Sequence, residues 1–195
     1  MFKHAFPIEL YNDVSNVIKI IPTKTYNNVL IGVSKERIAY LLNDTTIEIP
    51  YRIYFLDVSD EILNKLTFHQ QIILHCIYSR SCDGFVRQRH LRSLLLIEYE
   101  DWAIPYIVKV CDEYVVEILE MTYTILKEQN TECFENFYRE NDKLICKSYA
   151  RMISYWNEFY RNKYPLFHKY IGRKLFKECF GYSRTLERRF NPKIY

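Results

Sequence analysis

Ile47-Glu48-Ile49-Pro50-Tyr51-Arg52-Ile53-Tyr54-Phe55 sets an apolar residue at every second position, with Glu48, Pro50, Arg52 and Tyr54 between them. A side-chain period of two belongs to a strand with one buried face. Pro50 has no N–H for a ladder, so the strand is expected at a sheet edge or bulged at that point. Upstream, Ile38, Tyr40 and Leu42 alternate in the same way, and so do Val29, Ile31 and Val33. Ser34-Lys35-Glu36-Arg37 and Asn43-Asp44-Thr45-Thr46 supply the turns between these runs. The reading is three short antiparallel strands, with Val17–Ile21 as a candidate fourth.

Downstream the period changes to three and four. Ser59 precedes Asp60 and Glu61. Thr67 with Gln70 has the form of a capping box ahead of Ile72, Ile73, Cys76 and Ile77. Asp83 is placed to cap a helix carrying Val86, Leu91, Leu94 and Leu95, and Asp101 another with Pro105 near its first turn. Asp112 is expected to cap a fourth, with Val115, Ile118, Leu119, Thr122, Ile125 and Leu126 on one side. Amphipathic stretches near 142–160 and 165–180 follow. The fold class expected is α+β: a small N-terminal antiparallel sheet (1–58) packed on a mainly α-helical body (59–180), with a basic tail (181–195). No Gly/Ser/Pro linker separates them, so a single compact domain is expected.

Asp83-Gly84-Phe85-Val86-Arg87, with Leu91 and Leu94 in the same helix and a Trp102–Pro105 turn into further helices, resembles a HEAT-like helical repeat over about Ile72–Leu126. In that family the Asp and Arg help neighbouring repeats stack, and the array serves as a binding surface. The resemblance implies a HEAT-like layer built onto the sheet. The same string also fits an ordinary helix with an aspartate cap and an exposed arginine. No second copy occurs at the expected period, and a repeat core normally needs three.

Composition narrows the classes. The chain has 195 residues, 49% of them apolar and 16% aromatic, with 4 Gly and 6 Pro, which excludes collagen-like and largely disordered proteins. Lys3, Glu9 and Asp13 interrupt the start where an export signal needs an apolar run, and Leu66–Ser79, which contains Gln70 and Gln71, is too short and polar to span a bilayer. A cytoplasmic protein, bacterial in style, is expected. The six cysteines (Cys76, Cys82, Cys111, Cys133, Cys146, Cys179) are widely scattered and read as reduced thiols that bind no metal. Cys76 is expected buried beside a part-exposed His75.

No local motif names a reaction. His69, His75, Cys82, His90, Glu98, Glu100 and Asp101 are the titratable or nucleophilic groups of interest, none within a recognised catalytic signature. No catalytic residue and no cofactor is assigned. Charge says more. From Arg161 to the end ten basic residues face only Glu178 and Glu187, an excess of +8, so the preceding stretch holds −5 of the net +3. Lys169, Arg173 and Lys177 recur every four residues as a basic helical stripe, and Glu113, Glu117 and Glu120 form an acidic one. Arg184, Arg188 and Arg189 follow in the tail. These six basic residues are the expected partner-binding set.

Three readings follow in order. The first is a non-enzymatic adaptor, regulator or neutraliser that binds a protein partner through its helical and basic C-terminal surface. The second is a DNA- or RNA-binding protein that stacks bases on the aromatic rings interleaved with those charges. The third is an enzyme assembled from His75, Cys82, His90 and nearby carboxylates. The sequence does not specify an oligomeric state.

Overall fold

The computed structural model describes residues 2–26, 29–129 and 132–182. The elements are α1 (Tyr11–Ile20), β1 (Lys24–Tyr26), β2 (Val29–Ile31), β3 (Arg37–Leu42), β4 (Thr45–Pro50), α2 (Asp60–Leu63), α3 (Phe68–Tyr78), α4 (Gly84–Leu96), α5 (Ile104–Cys111), α6 (Val116–Leu126), α7 (Glu132–Glu140), α8 (Asp142–Tyr155) and α9 (Ile171–Lys174). This is a mainly α-helical α+β fold. It divides into two compact units, one up to Ile107 and one from Val108. No helix among the described residues is long and apolar enough to cross a membrane.

In the first unit β1 pairs with β2 and β3 with β4, both antiparallel. The β3–β4 hairpin closes on Asn43 and Asp44, whose φ angles of 49° and 62° fit a two-residue turn of the primed kind. The regular ladder stops at Pro50. Pairing resumes beyond it, with Tyr51 N donating to Glu36 O and Tyr54 N to Gly32 O, and with Val33 bridged to Ile53. The chain therefore stays extended to Phe55, burying Ile53 and Phe55 while Tyr54 and Leu56 face outward.

The candidate strand at Val17–Ile21 is corrected: residues 17–20 end α1. A short apolar run interrupted only by Lys19 is compatible with either period, and the buried positions Val14, Val17 and Ile21, three and four apart, settle it as helical. α1 packs on α3, which lies at the centre of this unit with seven successive buried residues from Ile72 to Tyr78. A helix apolar on every side has to be surrounded, and α1 and α4 both cover it. Buried Arg80 then holds the hairpin's end, donating to the carbonyls of Pro50 (3.3 Å) and Tyr51 (2.7 Å).

The second unit packs α6 against α9 and α8 against α7 and α9. Two expectations fail here. Asp112 caps no helix, because α6 begins at Val116; its carboxylate is instead buried between Lys109 Nζ (2.6 Å) and Arg151 Nη1 (3.1 Å). The stretch 165–180 is also not one helix. It comprises a 3₁₀ turn at Phe167–Lys169, an extended Tyr170 (ψ 132°), the single turn of α9, and a π turn at Leu175–Cys179. Close packing selects the break: a Cβ on Gly172 would lie 2.7 Å from Tyr170 Cε1 and 2.9 Å from Met152 Cγ. Aromatic contacts override a regular helix here.

Candidate functional site

Side-chain caps fix where α3 and α4 begin. Thr67 Oγ1 accepts from Gln70 N (3.3 Å) and Gln70 Oε1 accepts from Thr67 N (3.2 Å), completing the capping box. Asp83 Oδ1 accepts from Phe85 N (2.8 Å) and Val86 N (3.3 Å), starting α4 where the sequence places it. From that start the helical period sorts side chains into two faces. Arg87, His90, Leu91, Leu94 and Leu95 are buried. Phe85, Arg89, Arg92 and Leu96, spaced four, three and four apart, are exposed along the other side. Arg87 is thus not the exposed arginine of an ordinary helix; its Nη1 donates to the carbonyls of Ser81 (2.7 Å) and Cys82 (3.3 Å).

Beneath the exposed face lies a polar chain. His75 Nδ1 and His90 Nδ1 are 2.8 Å apart, His90 Nε2 lies 2.9 Å from Asp57 Oδ1, and Arg89 Nη2 donates to Asp57 Oδ2 at 2.6 Å. In the neutral pair the carboxylate holds the proton of His90 on Nε2. Nδ1 of His90 is then the acceptor and His75 the donor. The Tyr78 ring stacks on His90 at 4.7 Å and its hydroxyl donates to Leu56 O. His75 is thus buried, not part-exposed as the sequence suggests.

Burial lowers the pKa of His75 to about 3, helped by His90 and Arg89 and partly offset by Asp57. His90 is also lowered by burial, against the opposing hydrogen bond from Asp57. Burial pushes the Tyr78 hydroxyl up. Both imidazoles are almost fully covered, while the Asp57 carboxylate is partly and Arg89 largely exposed. The geometric effect of this polar chain is to fix Arg89 on α4 against Asp57 in the preceding extended segment.

The remaining titratable candidates do not join it. Cys82 is exposed, and its N–H and carbonyl are used by Ile53 and Arg87. Glu100 pairs with His69 Nε2 (2.9 Å) and accepts from Trp102 Nε1 (3.0 Å). Glu100 and Asp101 line an open cleft of about 700 Å³ together with Lys3, His4, Glu9 and Trp102. Glu98 is exposed. Sequence reasoning missed Asp57. The period-two alternation of Ile53 and Phe55 does place it on the inward side, and that was the available signal.

In the second unit Lys169 and Lys177 are exposed, and Arg173 lies 5.6 Å over the Phe167 ring. The break at Tyr170 means that these three do not form one helical stripe. Arg184, Arg188 and Arg189 lie outside the described residues. The acidic stripe is interrupted too: Glu113 precedes α6 and is buried, Glu117 is exposed, and Glu120 is occupied by Tyr164 (2.6 Å) and Lys163 (3.1 Å). These two bonds, Tyr164 first, lower the pKa of Glu120. The interleaved rings pack on each other, Tyr149 on Tyr182 at 4.3 Å, Trp156 against Phe167 at 4.9 Å and Tyr160 on Tyr170 at 5.9 Å. All six cysteines are free thiols. Among the described residues no group of three or more His, Cys, Asp or Glu is placed to hold a metal ion.

No protein-family model, no curated protein and no solved structure gives a significant match to this chain.

Proposed function

We propose that this chain is a cytoplasmic interaction protein that acts by occupancy, as an adaptor, regulator or neutraliser of a protein partner, and that the outer face of α4 is its principal contact. One observation carries the reading: on a helix whose inner side is fully used in the core, Phe85 is 86% and Leu96 62% exposed, with Arg89 and Arg92 between them. Large apolar side chains and arginine are the residue types that dominate binding energy at protein interfaces. Tyr54 and Leu56 add apolar surface on the extended segment next to Asp57. The HEAT-like resemblance agrees with a helix pair, α3 and α4, serving as a binding layer. Lys169 and Lys177, with Arg184, Arg188 and Arg189 of the tail, would strengthen attraction to an acidic partner.

The test is a complex rebuilt from two purified components, after the partner that co-purifies in stoichiometric amount has been identified. Phe85→Ser with Leu96→Ser should abolish the complex and leave the thermal melt nearly unchanged, because exposed substitutions usually alter stability by less than about 0.5 kcal/mol. A complex indifferent to the double variant would overturn the assignment to α4. A bound nucleic acid released with a steep salt dependence would overturn the protein-partner reading altogether.

A further inference from the structure

We infer that the outer face of α4 docks an acidic amphipathic helix, one with two apolar side chains about three turns apart and carboxylates between them. The inference rests on the occupancy reading and specifies the partner's chemistry. Phe85 and Leu96 are eleven residues apart, about 16 Å along the axis at 1.5 Å per residue. Between them Arg92 is exposed and makes no ion pair among the described residues. Arg89 is already positioned, its guanidinium held by Asp57 at 2.6 Å, so little rotamer freedom is left to lose on binding. The two apolar ends require apolar counterparts, and the arginine step between them requires carboxylate.

Charge excludes the other occupants. A second copy using the same face antiparallel would set Arg89 against Arg92 of its partner, a like-charge contact at the centre of the interface. A continuous polyanion, whether nucleic acid or an anionic membrane, needs an extended basic surface, whereas the outer face of α4 offers two arginines, one of them already paired with Asp57. An isolated carboxylate or two, placed between apolar anchors, meets the arginines alone. The complementary helix is read by i, i+4, i+7 and i+11 positions, the usual logic of a helix laid along a helix.

The experiment uses the full chain and a synthetic helical peptide with leucines eleven residues apart and glutamates four and seven residues after the first leucine. A second peptide carries lysines in place of the glutamates. Fluorescence anisotropy should show saturable binding of the glutamate peptide, weakened about tenfold or more by Phe85→Ser or Leu96→Ser. Arg92→Glu should lose the glutamate peptide and gain the lysine peptide. That exchange of preference is a readout that unfolding cannot mimic. Equal binding of both peptides to the unaltered chain, no saturable binding of the glutamate peptide, or α4-dependent binding to phosphatidylserine vesicles would each overturn the inference. If the rebuilt protein complex needs Phe85 and Leu96 while the glutamate peptide fails to bind, the acidic chemistry is wrong and the occupancy reading stands.

Discussion

The buried histidine pair makes the first unit sensitive to acid, and the size of the effect follows from its geometry. His75 and His90 face each other through Nδ1 at 2.8 Å, so the contact holds one proton and not two. Unfolded, His75 titrates near 6.5; folded, burial keeps it neutral down to about 3. A lowered folded pKa means that the unfolded chain binds more protons between these values. Stability is therefore full above about pH 7 and falls as pH drops towards 3. The loss from His75 alone is about 1.36 kcal/mol per pH unit below 6.5, or roughly 2 kcal/mol between pH 7.5 and pH 5. His90, lowered as well, adds to it. Urea unfolding of a Trp156→Phe background, in which Trp102 fluorescence reports the first unit, should show this loss. His75→Asn, whose amide retains a donor for His90 without the titration, should remove about 2 kcal/mol of the pH dependence. A stability that is flat between pH 7.5 and pH 5, or an identical slope in the Asn variant, would refute the account.

Further outcomes concern other parts of the chain. Asp112→Ala deprives buried Lys109 of the carboxylate at 2.6 Å and should destabilise by about 3–5 kcal/mol, read by urea unfolding followed through Trp156. Gly172→Ala should cost about 1–3 kcal/mol in the same assay, since its Cβ would meet the buried Tyr170 ring at 2.7 Å. Among Cys76, Cys82 and Cys111, an aromatic disulfide reagent should modify Cys82 in the native protein and the other two only after denaturation. Cys82 is exposed, whereas burial pushes the thiols of Cys76 and Cys111 up.

The fold was legible where local chemistry and burial agree. Thr67 and Asp83 cap α3 and α4 because their side chains satisfy N–H groups that any helix start leaves open, a requirement visible in sequence. Asp112 looked equivalent and is not. An aspartate ahead of an apolar run is also what a buried lysine needs, and Lys109, three residues earlier, takes it. The basic ladder at Lys169, Arg173 and Lys177 failed for a related reason. Its period of four is helical only if Tyr170 is, and Tyr170 sits in extended backbone with its ring packed on those of Tyr160 and Tyr164, ten and six residues earlier. Ring packing at separations of six and ten does not follow the three- and four-residue spacing of a helix, so it leaves no helical signature.

The same contrast explains the candidate site. Neither His75 nor His90 carries a motif, and their meeting depends on α3 and α4 packing side by side, so sequence could name both residues without joining them. Asp57 completes the chain because an extended segment with Ile53 and Phe55 inward must turn Asp57 inward as well. Once there, a carboxylate beneath α4 needs a compensating donor on each oxygen. His90 supplies one from the buried face and Arg89 the other from its exposed neighbour. The polar chain inside the unit and the face outside it are thus linked through one carboxylate. Arg89 is held at the surface by an interaction whose far end lies in the core, whereas Arg92, one turn on, is exposed and makes no ion pair among the described residues.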